Sequence, residues 1–362
     1  MGDMTVFATS PMTSLIDGHV RYDLAESTCP PLTVGELASP EEIAAVPLGY
    51  GTTRGDGRLR GLVAAGSGVG AEQVLITVGA VEAMFLLAQA VCGPGDHVVV
   101  VAPCFPPALT VPAALKAEID IVRAEFDSHY RLPLREIVQV LGPRTKLVSL
   151  ASPQNPAGVR LTAAELRELD EAVRSRAPQA VILVDETYHF STYGDAPVPA
   201  SAAGLSSRVV TCGSVSKAHG APGLRLGWLT VTDPDLYDRL REAKFNTTIA
   251  CSGVDEFLAT RVLERAPEIL AVRAEFLRDR LDELRSWASR HGVEMVVPDG
   301  GPLCCLRAPD TSFYQRLEAR EVRVAPGSWF REDDRVFRLG FGHLPAEDFG
   351  EALERLGSAL QG

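Results

Sequence analysis

Short apolar runs rich in β-branched residues recur along the first two thirds of the chain, and between them apolar positions return at helical spacing. Seven runs predict strands: Val74–Val78, His97–Val101, Ile119–Val122, Lys146–Leu150, Val181–Asp185, Val209–Cys212 and Arg225–Val231. Helices are predicted between them at Ala80–Val91, Leu134–Leu141 and Thr162–Arg174, the last opened by a capping box of Thr162 and Glu165. This alternation predicts an α/β fold around a mainly parallel seven-stranded sheet. Runs that stay apolar throughout, such as Val181–Val184, suit a sheet covered on both faces.

After Asp233 the pattern changes. A long helical stretch is predicted over Val254–Arg290, then shorter strands around Val293–Val297 and Val336–Phe341, and a final helical run over Glu347–Leu360. The chain therefore divides into a large domain over 46–235 and a smaller α+β domain. The smaller one is built from 236–362 together with the Pro-rich, irregular residues 1–45.

With 362 residues, 46% of them hydrophobic and 23% charged, the chain is large enough to bury two cores. No apolar run approaches the roughly 18 residues of a membrane span. The N-terminus lacks a basic stretch followed by an apolar one, so a cytoplasmic location is expected. A formal net charge of -12 opposes contact with nucleic-acid phosphates and anionic membranes, which leaves small-molecule chemistry as the expectation. The seven cysteines form no C-x-x-C pair and no metal-ligand spacing, so they are expected to be reduced thiols without a metal.

Three features carry chemistry. Lys217 sits among small residues in Ser214-Val215-Ser216-Lys217-Ala218-His219-Gly220-Ala221-Pro222-Gly223-Leu224-Arg225-Leu226-Gly227, just past a predicted strand, where a sheet's carboxyl edge opens onto a cleft. A poorly solvated amine there is a nucleophile toward an aldehyde and a base, although a lone loop lysine is ordinarily a surface residue. Asp185 ends the apolar run Val181–Val184, where an acid is costly unless partnered or used as a helix cap. Arg338 lies within the apolar run Val336–Phe341 and needs a carboxylate, from a ligand or from a structural ion pair. In addition, Gly79 and Ala80 turn a strand into a helix, an arrangement that lets free N–H groups approach an anion.

The segment around Lys217 has the form S-x-S-K-x-x-G-x-x-G-x-R-x-G and resembles the Schiff-base segment of the fold-type I aminotransferases of classes I and II, the aspartate aminotransferase superfamily. That resemblance implies pyridoxal 5'-phosphate (PLP) as cofactor, bound covalently by Lys217, with Ser214, Arg225, Gly79 and Ala80 around its phosphate. It further implies that Asp185 pairs with the pyridine nitrogen, and that Tyr188 and Asn155 hydrogen-bond the phenolic oxygen. Asn155 lies in Ser152-Pro153-Gln154-Asn155-Pro156-Ala157-Gly158, which is similar to the family's N-P-x-N-P-T-G loop but has Ser152 and Ala157 at two positions. Phe105 matches the ring that stacks on the cofactor, and Arg338, with Asn155, matches the site for the substrate carboxylate. Tyr50 opens a segment similar to the family's Y-x-x-x-x-G-x-x-x-L-R, whose tyrosine reaches the neighbouring subunit's phosphate, implying a homodimer. These motifs run in the family's order from Tyr50 to Phe341.

The implied reaction moves an amino group between an L-amino acid and a 2-oxo acid, with Lys217, Asp185 and Tyr188 as the catalytic residues. The same motifs are compatible with elimination, cyclisation or oxidation. Residues Tyr22–Leu37 faintly resemble the corresponding part of capreomycidine-synthase-like enzymes, which cyclise a hydroxylated arginine. Glu26 is the candidate there for contacting a cationic side chain, with a solvated loop acid as the alternative. His219 is either a proton donor behind Lys217 or a packing residue. A regulatory PLP-binding protein would need a DNA-binding unit or a basic patch, and neither is evident.

Overall fold

The computed structural model describes Phe7 and residues 9–361. All seven predicted strands form one sheet: β1 Val74–Thr77, β2 His97–Ala102, β3 Glu118–Arg123, β4 Thr145–Ala151, β5 Val181–Asp185, β6 Val209–Ser214 and β7 Gly227–Val231. Their spatial order is β1-β7-β6-β5-β4-β2-β3. Only β7 runs antiparallel to its neighbours. It begins two residues later than predicted, because Arg225 sits in the left-handed region at φ 48, which no strand accommodates.

The helices of this layer are α1 Gly57–Ser67, α2 Gly79–Val91, α3 Pro107–Ala114, α4 Leu134–Val140 and α5 Ala163–Arg176. Helix α5 opens as its sequence predicts: Glu165 N donates to Thr162 Oγ1 at 3.1 Å, and Thr162 N donates to Glu165 Oε2 at 2.8 Å. Alternation along the strands explains their continuous apolarity. Val98, Val100 and Leu183 pack with Leu87 of α2 and Leu109 of α3, whereas Val99, Val101 and Val184 pack with Ile137 of α4 and Leu169 of α5. Each such side chain stabilises the fold by about 1.5–3 kcal/mol relative to exposure.

Past β7 the helix Pro234–Phe245 lays Leu236, Tyr237 and Leu240 on the same sheet. The predicted helical stretch Val254–Arg290 is two helices, Gly253–Glu264 and Ala266–His291. They part at Arg265 because Pro267, near the start of the second helix, has no N–H with which to continue the first. The second helix and the final helix, Ala346–Gln361, cover a four-stranded antiparallel sheet. One of its central strands, Leu303–Arg307, is not predicted by pattern; it is five residues long and follows Gly300, Gly301 and Pro302.

The N-terminal stretch is shared between the two cores. Tyr22–Asp23 pairs in parallel with Val322–Arg323, and Gly340 N donates to the Leu24 carbonyl at 2.7 Å, which carries residues 22–29 onto the four-stranded side. Leu37 and Ala38 pack instead with Leu59 of α1 and with Leu258. Among the described residues no helix is long and apolar enough to cross a membrane, and no group of three or more His, Cys, Asp or Glu is placed to hold a metal.

Candidate active site

Strand register gathers the chemistry. Ala151 pairs with Asp185, Asp185 with Cys212, Ser214 with Gly227, and Gly227 with Thr77, so four segments end at one edge of the sheet. A cavity of about 690 Å³ opens there. Ala80, Phe105, Asn155, Asp185, Tyr188, Ser214, Lys217, Arg225 and Arg338 all line it. A second cavity of about 400 Å³, between Tyr130, Arg160 and Met295, contains none of the predicted site residues.

Lys217 stands just beyond β6 with its side chain about a quarter exposed. Its Nζ lies 3.6 Å from Glu26 Oε1 and 3.5 Å from Ser27 Oγ, and 5.8 Å from the centre of the Tyr188 ring. The Tyr188 hydroxyl shares a 2.8 Å hydrogen bond with Ser27 Oγ. Burial alone would raise the Glu26 carboxyl above the usual range, but the charges of Lys217 and then Arg338 outweigh it and hold the group below.

Asp185 is buried at the end of β5. Its Oδ1 accepts from Thr187 N at 2.9 Å, from Thr187 Oγ1 at 2.5 Å and from Cys212 Sγ at 3.5 Å, while Oδ2 has no partner among the described residues. Burial pushes its pKa up, against the pull of these hydrogen bonds and of Lys217. A buried acid with one oxygen turned to a cavity is satisfied by a cationic N–H, and a pyridinium supplies one.

The strand-to-helix turn forms a cradle. Gly79 adopts φ 73, and a Cβ added to it would lie 2.7 Å from Arg225 Nη2. Gly227 permits an equally close approach, since a Cβ there would lie 2.6 Å from Ala80 N. The start of α2 and the Arg225 fork thus come together with no side chain between them, as an anionic phosphate requires.

Arg338 is 2% exposed. Its Nη1 donates to Asn155 Oδ1 at 2.8 Å and its Nη2 to the Ala25 carbonyl at 2.6 Å, its guanidinium lies 4.7 Å from the Phe330 ring centre, and its Nε is buried without a partner. No carboxylate of the described residues forms an ion pair with it, so of the two partners considered from sequence the structural pair is not made. A buried guanidinium in that condition fits an incoming carboxylate.

Two predicted residues lie elsewhere. Tyr50 is 90% exposed and does not line the cavity. His219 is buried behind it, its ring 5.4 Å from that of Phe190 and its Nδ1 without a partner. Burial, helped by the Arg273 charge, pushes the His219 imidazole down to about 4. The residues that sequence reasoning passed over are Ser27, Thr187 and His343. Thr187 has a legible signal, because a side chain two positions after an acid commonly satisfies it. Ser27 and His343 have none, being brought in only by long-range packing.

The class I and II aminotransferase profile matches residues 22–356. The chain is 30% identical to the capreomycidine synthase of Streptomyces vinaceus, over 95% of this chain and 92% of that one. It is also 30% identical to an arginine–pyruvate transaminase of Pseudomonas aeruginosa, over 85% and 81%. A solved PLP-dependent aminotransferase from Streptococcus suis superposes with a TM-score of 0.90 at 26% identity, covering 98% of both chains. The chain belongs to the class I and II aminotransferase family. It is an α/β, fold-type I transferase whose cofactor is PLP, in agreement with the expectation from its motifs.

Proposed function

We propose that this cavity catalyses amino transfer between an L-amino acid and a 2-oxo acid, with Lys217 as the covalent anchor of PLP and as the base. The observation that carries the proposal is the convergence of Lys217, Asp185 and a buried, acid-free Arg338 on one cavity. When bound, PLP supplies an aldehyde for Lys217 and an electron-withdrawing ring that stabilises negative charge at the substrate's Cα. Asp185 would hold the ring nitrogen protonated, Tyr188 and Asn155 would hydrogen-bond the phenolic oxygen, Phe105 would stack on the ring, and Gly79, Ala80, Ser214 and Arg225 would hold the phosphate. Arg338 binds the α-carboxylate through its fork. The Lys217 amine takes the α-proton and returns it one atom away.

A homodimer follows from Tyr50, which projects from its own subunit and would complete its neighbour's phosphate site. The proposal includes a cytoplasmic location and a division into a large and a small domain, with the expected bounds of 46–235 and of 1–45 with 236–362 shifted: Leu37 and Ala38, the helix Pro234–Phe245 and Leu258 pack on the large side, so the small domain takes residues 22–29 and the chain from the middle of the helix Ala266–His291 onward. A second reading, PLP-dependent cyclisation or elimination, draws on the Streptomyces relative's near full-length match and on the placement of Glu26 beside Lys217. Incubating the PLP-loaded protein with single amino acids, with and without a 2-oxo acid, tests both. Transfer requires the oxo acid and yields a new amino acid, whereas cyclisation or elimination proceeds without it; no product in either arm would refute the assignment.

A further inference from the structure

The cavity is lined by two acids, Glu26 and Asp185, and by the basic side chains Lys217, Arg225 and Arg338. Asp185 and Lys217 are taken up by PLP, Arg225 by its phosphate and Arg338 by the substrate carboxylate, on the assignment given above, upon which this inference rests. Glu26 is then left as a carboxylate without a cation. In the structure it faces Lys217 Nζ at 3.6 Å, and a lysine nitrogen bound to PLP no longer serves as a free ammonium. The other charged or titratable groups that face Glu26 are Arg338 and His343.

The backbone under Glu26 is fixed. A Cβ on Gly340 would overlap the Glu26 carbonyl oxygen, so the strand Val336–Gly340 passes this turn in direct contact. The preceding carbonyl, of Ala25, accepts from Arg338 Nη2. One turn therefore sets the separation between the Arg338 fork and the Glu26 side chain. Glu26 Oε1 accepts from Ser27 N at 2.7 Å, whereas Oε2 has no partner among the described residues. Part of the remaining wall is hydrocarbon, from Met12, Leu15, Val81 and Met84, with Thr28 and His343 as the polar side chains beside Glu26. A ligand that suits an apolar wall with a single free carboxylate is an aliphatic stem carrying a positive head.

We propose that the substrate is an amino acid whose aliphatic side chain ends in a guanidinium or ammonium, and that Glu26 is the residue that selects it. Glu26 directly follows Ala25, whose carbonyl holds the Arg338 fork, so on this assignment its charge acts on which side chain enters. An alternative duty, serving only as the counter-ion of Lys217, would give Glu26 no preference between cationic and neutral ligands.

Two carboxylic acids without an α-amine, 5-guanidinopentanoate and hexanoate, separate these possibilities, because neither can react. Their dissociation constants for the PLP-loaded protein are measured by isothermal titration calorimetry. The guanidino acid is expected to bind about tenfold or more tightly, the range of a charge-assisted pair in a partly dry site. In the isosteric Glu26→Gln variant the ratio should fall toward one, with hexanoate affinity changed by less than about twofold. Equal affinities in the wild type, or an unchanged ratio in Glu26→Gln, would overturn the selection by Glu26 while leaving the PLP site intact. The wild-type ratio decides alone if the variant is unstable. Failure of both acids to bind would remove the Arg338 assignment, and this inference with it.

Discussion

Arg338 and Asn155 stand 183 positions apart in the chain, yet Arg338 Nη1 donates to Asn155 Oδ1 at 2.8 Å. The bond ties the strand Val336–Gly340 to the loop after β4 and orients both residues toward one cavity. It also uses the Asn155 oxygen, so the Asn155 amide nitrogen is the atom turned to a ligand.

Replacing either partner should therefore disturb both. Arg338→Leu is expected to lower kcat/KM by roughly 10²-fold or more, mostly through binding, since a charge-assisted fork is lost. Asn155→Ala should cost less by itself. A double-mutant cycle on kcat/KM should show coupling of about 0.5–3 kcal/mol; strict additivity would mean that the hydrogen bond has no part in orienting the arginine.

Lys217→Ala should abolish the visible absorption band of protein-bound PLP and reduce turnover by about 10²–10⁴-fold or more. Asp185→Asn should keep the band while turnover falls sharply, because an amide does not hold the ring nitrogen cationic. Titration with PLP in an absorbance spectrometer checks both, and an unchanged band in Lys217→Ala contradicts the central assignment.

Gly79→Ala tests the phosphate cradle. Its φ of 73 makes any Cβ strained by about 1–2 kcal/mol, and the new methyl would lie 2.7 Å from Arg225 Nη2. The expected result is PLP affinity weakened by roughly tenfold or more with a small loss of thermal stability. If affinity were unaffected, the phosphate would have to sit elsewhere.

His219 predicts a pH dependence. Its folded-state pKa of about 4 lies below the model-peptide value of 6.5, so between these limits the unfolded chain binds the proton first. Stability contributed by the neutral ring is complete above about 6.5 and is lost as pH falls toward 4, a change on the order of 3 kcal/mol. Urea midpoints between pH 4.5 and 7.5 should fall with acid in the wild type and less steeply in His219→Phe. An identical slope in both would place the acid sensitivity elsewhere, His189 being the next group, also pushed down to about 4 by burial.

Tyr50 carries the quaternary prediction. Sedimentation should find a dimer, and Tyr50→Ala should weaken PLP binding without altering the monomer fold; a monomer with full PLP affinity would end that assignment.

The order of the seven strands along the chain, the wide apolar faces of the layer and the motif residues of the site were all legible in the sequence, because period and local backbone chemistry are properties of neighbouring residues. Lys217, Asp185 and Gly79 could be placed at one sheet edge for the same reason: each ends or follows a strand. Tertiary structure alone decided which residues stand opposite them. Ser27 on Tyr188, Glu26 beside Lys217 and the Ala25 carbonyl on Arg338 all come from an irregular N-terminal stretch with no periodicity to read. The strand Leu303–Arg307 likewise did not stand out, because Leu-Cys-Cys-Leu-Arg has no β-branched or aromatic residue, and only its pairing on both sides makes it a strand. Contacts between residues hundreds of positions apart arise from the closure of the whole chain around its cores, and no local pattern encodes them.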